Sequence, residues 1–263
     1  MQKSLKTGLI ITLEMGLEKS LNLRQHDNSA KNGQLIELFR GFVELNSIGG
    51  LKQVIIRTLT PKGFASNRYN NKKSIVYLAK GSLTAKLGVG DNESIVIIQQ
   101  GSKFNLIPGI KYTLKNNSSD EALFIEFANT LDENSANEVY ERAVELFKNN
   151  ELNNINSLIG SLNQITLHTL KPGEFGGNHY HDSKRELMCL IKGNLSVYQK
   201  SVNGNADFTF YANEGNKFFL WQGITHKLTN EGKVDAVFIE FSNLAFDPKN
   251  PMNDVRKASS NQC

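Results

Sequence analysis

Short apolar runs broken by turn residues recur along the whole chain, and their order repeats. In the first half, IIRTLTPKGFASNRYNNKKSIVYLAKGSLTAKL runs from Ile55 to Leu87; ITLHTLKPGEFGGNHYHDSKRELMCLIKGNLSVYQ answers it from Ile165 to Gln199. ALFIEFAN (Ala122 to Asn129) returns as AVFIEFSN (Ala236 to Asn243). Runs of this kind predict strands, and a repeat at this spacing predicts two copies of one β-rich module, each able to close a small barrel or sandwich. Between the copies, TLDENSANEVYERAVELFKNNELNN places Val139, Ala143, Leu146 and Phe147 at helical spacing, with Asp132 or Asn134 as N-cap and Glu133 and Glu138 near the positive end. That pattern predicts one linker helix over 134–149, packed outside the barrels.

The expected organisation follows. Residues 1–32 are an N-terminal extension, in which GLIITLEMGL reads as a strand or short helix and NLRQHDNSAKNG as polar loop. Residues 33–130 form the first module, entered by a strand pair in LIELFRGFVELNS; 131–152 are the linker; 153–254 are the second module. Residues 255–263, following Pro248 and Pro251, are a polar tail expected to fray.

A chain of 263 residues, 39% hydrophobic and 21% charged, has enough material for two cores. Its net charge of +4 is spread without a basic run, so no nucleic-acid partner is implied, while the mild positive bias suits a phosphorylated small molecule. Cys189 and Cys263 do not form a disulfide framework, which points to a reducing cytoplasm. The apolar run near the N-terminus is short and interrupted by Glu14, so neither a signal peptide nor a membrane span is expected.

Chemistry concentrates between Gly173 and Gly193, in GEFGGNHYHDSKRELMCLIKG. Side chains two apart on a strand share a face, so His179 and His181 project together. A tight turn returns Glu186 to the same side on the next strand, and His226 lies beyond it in GNKFFLWQGITHKLTN. Three imidazoles and one carboxylate suit a divalent first-row metal with positions left open.

These residues resemble the cupin superfamily. Gly173, His179, His181, Glu186 and Gly193 fill the first cupin motif, G-x5-H-x-H-x4-E-x6-G, while Gly215, Gly223, His226 and Asn230 match the second, with Trp221 in place of its usual proline. The resemblance implies an all-β chain of two tandem cupin (double-stranded β-helix, or jelly-roll) barrels joined by the linker helix. In the first copy Arg68 aligns with His179, Asn70 with His181, Ser74 with Glu186 and Tyr112 with His226, so every ligand position is replaced, whereas Asn116 aligns with Asn230. That copy reads as a structural half, an interface or a non-catalytic sugar pocket.

A narrower resemblance links GGNHYHDSKRELMCLIKGNLSVY, WQGITHKLTNEGK and FSNLAFDPKNP to the C-terminal cupin domain of the bifunctional UDP-sugar epimerase/reductases of capsular polysaccharide synthesis. It implies zinc, dimers and epimerisation at C3 of a UDP-linked 4-keto-6-deoxy hexosamine. No GxGxxG opens a dinucleotide-binding unit here, so a stand-alone epimerase or isomerase is the expectation. A homodimer through edge strands is expected, unless the two copies mimic it within a monomer. Removing a proton beside a ketone requires a base. His179 fills that role if the metal is structural or absent; otherwise Tyr198, Tyr211, Lys192 and Glu240 are the candidates. Asn230 is placed to bind a substrate hydroxyl and Trp221 to stack on a sugar or base. The alternatives are a cupin dioxygenase using iron, nickel or manganese and a non-catalytic sugar-binding or regulatory cupin.

Overall fold

The structure is a computed structural model that describes residues 23–25, 34–40, 49–68, 72–89, 92–106, 108–130, 142–148, 155, 157–204, 207–245, 247, 249–250 and 252–258. Its strands begin with β1 (Leu23–Gln25), β2 (Gln34–Arg40), β3 (Gln53–Leu59), β4 (Phe64–Arg68) and β5 (Ser74–Lys80). β6 (Ser82–Val89), β7 (Asn92–Gln99), β8 (Lys103–Leu106), β9 (Lys111–Asn116), β10 (Ala122–Ala128) and β11 (Arg142–Lys148) follow. The second copy contributes β12 (Gln164–Leu170), β13 (Phe175–His181), β14 (Glu186–Lys192), β15 (Asn194–Ser201) and β16 (Asp207–Asn213). It ends with β17 (Lys217–Leu220), β18 (Ile224–Thr229), β19 (Ala236–Ser242) and β20 (Val255–Lys257).

Each module is a cupin barrel of two facing antiparallel sheets. The first pairs the order β11-β3-β10-β5-β8 with β4-β9-β6-β7; the second pairs β1-β2-β12-β19-β14-β17 with β16-β15-β18-β13-β20. In the first, Leu59, Val76, Leu78 and Phe124 meet Ala65, Leu83, Ala85 and Leu114 from the opposite sheet. Leu170, Met188, Leu190 and Phe238 meet Leu195, Val197 and Leu228 in the second. Strands β3 and β10 are buried at every position, which is why their sequences read as continuous apolar runs rather than as alternation. No helix among the described residues is long and apolar enough to cross a membrane.

Four local expectations are corrected. Residues 142–148 are strand, not helix: β11 pairs with β3 from Arg142↔Thr58 to Lys148↔Gln53. Backbone groups along the edge of β3 need partners, and satisfying them outweighs the helical spacing of the side chains. The start of the linker, with its proposed N-caps, lies outside the described residues. The entering strand β2 belongs to the other module, pairing with β12 from Gln164↔Arg40 to Thr169↔Gln34. Chain contacts accordingly group residues 22–44 with 153–263, and 45–152 with the first module. Leu23–Gln25, in the stretch read as polar loop, form β1 against β2. Residues 255–257, read as the start of a fraying tail, form β20 against β13. The expectation for GLIITLEMGL lies outside the described residues.

Inside the first barrel, Glu126 is held between Arg57 Nε at 2.9 Å and Lys72 Nζ at 3.0 Å, all three side chains being buried. Burial alone would raise the Glu126 pKa, but the two cations outweigh it and hold it at about 2. A folded pKa below the ordinary value of 4.5 means that this carboxylate contributes stability above pH 4.5, lost as pH falls toward 2. Glu126→Ala leaves two buried cations without their carboxylate and is expected to cost about 3–5 kcal/mol in urea unfolding at pH 7. Glu126→Gln is expected to flatten the loss of stability between pH 4.5 and 2, measured by the same titration.

Candidate metal centre

The strand–turn–strand from β13 to β14 brings the ligand candidates together as a consequence of backbone pairing. β13 runs beside β18 in register Phe175↔Thr229, Gly176↔Leu228 and Gly177↔Lys227, then slips by one so that His179 faces His226. The extra residue is Asn178, at φ +68°, a left-handed conformation that asparagine tolerates better than most side chains. Gly177, at φ +87°, is required beside it, because a Cβ there would lie 2.8 Å from the His226 carbonyl oxygen. This bulge turns His179 toward His226, and the two-residue period carries His181 to the same side.

The candidate ligand nitrogens of His179, His181 and His226 lie within 4.8 Å of one another. His179 Nε2 is 3.2 Å from His181 Nε2, a spacing that suits two donors sharing one ion. Glu186 completes the group, with Oε1 3.6 Å from His181 Nε2 and Oε2 3.9 Å from His226 Nε2. The rings are oriented from behind. His181 Nδ1 donates to Asp254 Oδ2 at 3.0 Å and His226 Nδ1 to the Ile224 carbonyl at 3.2 Å, which leaves each Nε2 lone pair facing the cluster. Burial, reinforced by Lys184 and His179, lowers the His181 pKa to about 2. Burial and the neighbouring His181 lower that of His226 to about 3. Both are therefore neutral at pH 7, the form that binds a metal.

Behind the cluster runs a chain of buried charges. Lys184 Nζ bridges Glu186 Oε1 at 2.7 Å and Glu240 Oε1 at 2.5 Å, and Glu240 Oε2 accepts from His168 Nε2 at 2.7 Å. Burial opposes ionisation of Glu240, yet Lys184 and His168 prevail and hold its pKa well below the carboxylate range. Glu186 is in the reverse position: burial dominates, and its pKa is pushed up to about 8 despite Lys184. Its Oε2 is buried and has no hydrogen-bond partner among the described residues. Neutral imidazole lone pairs beside a buried, unsatisfied carboxylate oxygen make a donor set that fits a divalent cation.

The remaining candidates fall elsewhere. Val197 points into the core, so its neighbour Tyr198 faces outward, its hydroxyl 3.3 Å from Asp207 Oδ2. Tyr211, between the inward Phe210 and Ala212, is 68% exposed. Lys192 is exposed at the far end of β14, about 20 Å along the strand from Glu186. Glu240 lies inside the barrel but is committed to Lys184 and His168. Asn230 is not a substrate donor: its amide donates to the Leu170 and Val234 carbonyls at 2.8 Å and its oxygen accepts from Gly232 N. Asn116 makes the corresponding bonds to Leu59, Asp120 and Ser118 in the module without ligands, so the shared asparagine is a turn residue. Trp221 follows Leu220, the partner of Glu186 in the pairing of β14 with β17. Phe218 and Leu220 face the core, while Trp221 stacks on Phe219, ring centroids 5.1 Å apart, on the opposite face of the sheet.

In the first module the corresponding site is filled. Asn67 faces Tyr112 as His179 faces His226, so the absent bulge makes Asn67, rather than Arg68, the counterpart of His179. Asn70 lies outside the described residues. Ser74 pairs with Leu106 as Glu186 pairs with Leu220, and Tyr112 is buried in the core. Sequence reasoning missed His168, Lys184 and Asp254. The first two carry a readable signal, since each aligns with a basic residue of the other copy: His168 with Arg57, Lys184 with Lys72. Asp254 is distant in sequence and has no such signal.

Residues 157–253 match the family model described as polysaccharide biosynthesis C-terminal domain. Over 91 residues the chain is 34% identical to UDP-2-acetamido-2,6-beta-L-arabino-hexul-4-ose reductase of Pseudomonas aeruginosa, covering 34% of this chain and 24% of that protein. The solved structure of the capsular polysaccharide assembling protein CapF from Staphylococcus aureus is similar at 29% identity, over 36% of this chain and 27% of that one, with a TM-score of 0.34. A mutant of oxalate decarboxylase OxdC from Bacillus subtilis aligns over 87% of this chain and 78% of that one at 14% identity, TM-score 0.41. The chain spans about a quarter of the length of the first two relatives. The chain folds as two tandem cupin barrels, and residues 157–253, in the second, are similar to the polysaccharide biosynthesis C-terminal domain.

Proposed function

We propose that the second module is a zinc-dependent epimerase or isomerase acting on a nucleotide-linked 4-keto-6-deoxy sugar in surface polysaccharide biosynthesis. The observation that carries this reading is the buried, partnerless Glu186 Oε2 beside three converging imidazoles. Three nitrogens and one oxygen are a donor set that zinc accepts. The substrate class is supported by the names of the relatives, one a reductase of a UDP-linked hexulose and one a capsular polysaccharide protein.

His179, His181, His226 and Glu186 would hold the ion. When bound, it supplies Lewis-acid stabilisation of the negative charge that develops on a carbonyl oxygen as a neighbouring carbon loses its proton. Asp254 sets the His181 tautomer and also accepts backbone N–H bonds from Ser183 at 2.7 Å and Lys184 at 3.3 Å, tying the turn between β13 and β14 to the ring it orients. Lys184 fixes Glu186 by one oxygen and leaves the other toward the cluster. Of the three imidazoles, those of His181 and His226 are buried and that of His179 is half-buried.

The purified chain is expected to carry about one zinc per chain by mass spectrometry and to wash solvent deuterium into a UDP- or dTDP-linked 4-keto-6-deoxy sugar. Metal present with no exchange on any such sugar overturns the reading. His181→Ala is expected to lose both metal and exchange. Asp254→Ala leaves all four ligands in place and is expected to weaken zinc affinity about 10–100-fold, measured by competition with a chromophoric chelator.

A further inference from the structure

The buried charge chain exists twice. In the first module Glu126 takes Lys72 on Oε1 and Arg57 on Oε2; in the second Glu240 takes Lys184 on Oε1 and His168 on Oε2. As a strut between strands the two versions are equivalent, and arginine serves as well as histidine. They differ in what is left over. Arginine has only donors and keeps its charge, whereas an imidazole that donates through one nitrogen keeps a basic lone pair on the other. The copy with the lone pair is the copy with the ligand cluster.

We propose that His168 is the general base of the second module, oriented by Glu240; this rests on the function proposed above. His168 Nε2–H is fixed by Glu240 Oε2 at 2.7 Å, and the ring lies flat on Phe238, centroids 4.8 Å apart and planes 1° from parallel. Nδ1 has no hydrogen-bond partner among the described residues, and the side chain is 18% exposed. β12 is separated from β14 only by β19, and on the same inner face His168 connects to Glu186 through Glu240 and Lys184, by successive contacts of 2.7, 2.5 and 2.7 Å. Nδ1 takes the proton from the carbon beside the carbonyl. The C–H bond breaks and an N–H bond forms; the electron pair moves into the adjacent C–C bond while the carbonyl pair moves onto oxygen. Imidazolium and oxyanion charges balance, no oxidant is needed, and Glu240 stabilises the imidazolium. Inversion follows when water gives a proton to the opposite face of the carbon and the imidazolium releases its own proton to solvent, which restores the neutral ring.

The first module supplies the control. His168→Arg recreates the Arg57–Glu126 strut, keeping the fold while removing the lone pair. In the zinc-loaded full chain, His168→Arg is expected to match the wild type in zinc content and melting temperature. Its deuterium exchange into a UDP-linked 4-keto-6-deoxy hexosamine is expected to fall at least about 100-fold. His168→Gly, as a second variant, is expected to regain exchange when imidazole is added, which a purely structural role would not produce. Exchange by His168→Arg within about threefold of the wild type overturns the role of His168 but leaves the proposed function standing, as does His168→Gly that exchanges at the wild-type rate without imidazole. A wild type that carries zinc and exchanges nothing overturns both.

Discussion

A carboxylate enclosed in an apolar barrel must be answered by positive charge or give up its own, because leaving an ion unpaired in a medium of low polarity costs far more than one interaction can return. The first barrel meets this condition with one carboxylate and two cations, Glu126 between Arg57 and Lys72. The second holds two carboxylates, Glu240 and Glu186, on a single lysine, with His168 supporting the first. Glu240 takes the larger share and stays ionised. Glu186 is left short of positive charge on the side where three neutral imidazoles gather, so the demand for a cation there comes from the whole buried charge chain as well as from the four ligand candidates.

Both barrels are completed by strands from outside the repeat. β2 precedes the first module in the chain and closes the second; β11 lies between the modules and closes the first. β20, from the C-terminal segment, pairs with His179, Tyr180 and His181 on the strand that carries the cluster, and Asp254 immediately before it orients His181. The unrepeated parts of the chain therefore do what the repeated parts cannot do alone, satisfying open edges and fixing a ligand ring.

The divergence of the two copies is confined to a few positions on a shared backbone. Asn116 and Asn230 hold the same turn, and Glu126 and Glu240 anchor the same strut. One inserted residue, Asn178, with Gly177 making room beside it, re-aims a strand so that His179 opposes His226. In the other copy, without the bulge, Tyr112 fills the space with an apolar ring.

Sequence alone determined the all-β class, the tandem repeat and the shared face of His179, His181 and Glu186, because strand periodicity and a short turn dictate which side chains lie together; His226 was legible only through the second motif, and the register of β13 with β18 brings it opposite His179. It also carries basic residues at matching places in the two copies, Arg57 with His168 and Lys72 with Lys184. Tertiary structure decided the rest. β11 is strand despite helical spacing, since the open edge of β3 offered backbone partners that no local pattern records. Trp221 faces away from the cluster, and Asn230 is spent on its own turn, because inward or outward direction depends on register. Asp254 meets His181 from 73 residues away, and contacts of that range are set by how strands pack, not by the residues beside them in the chain.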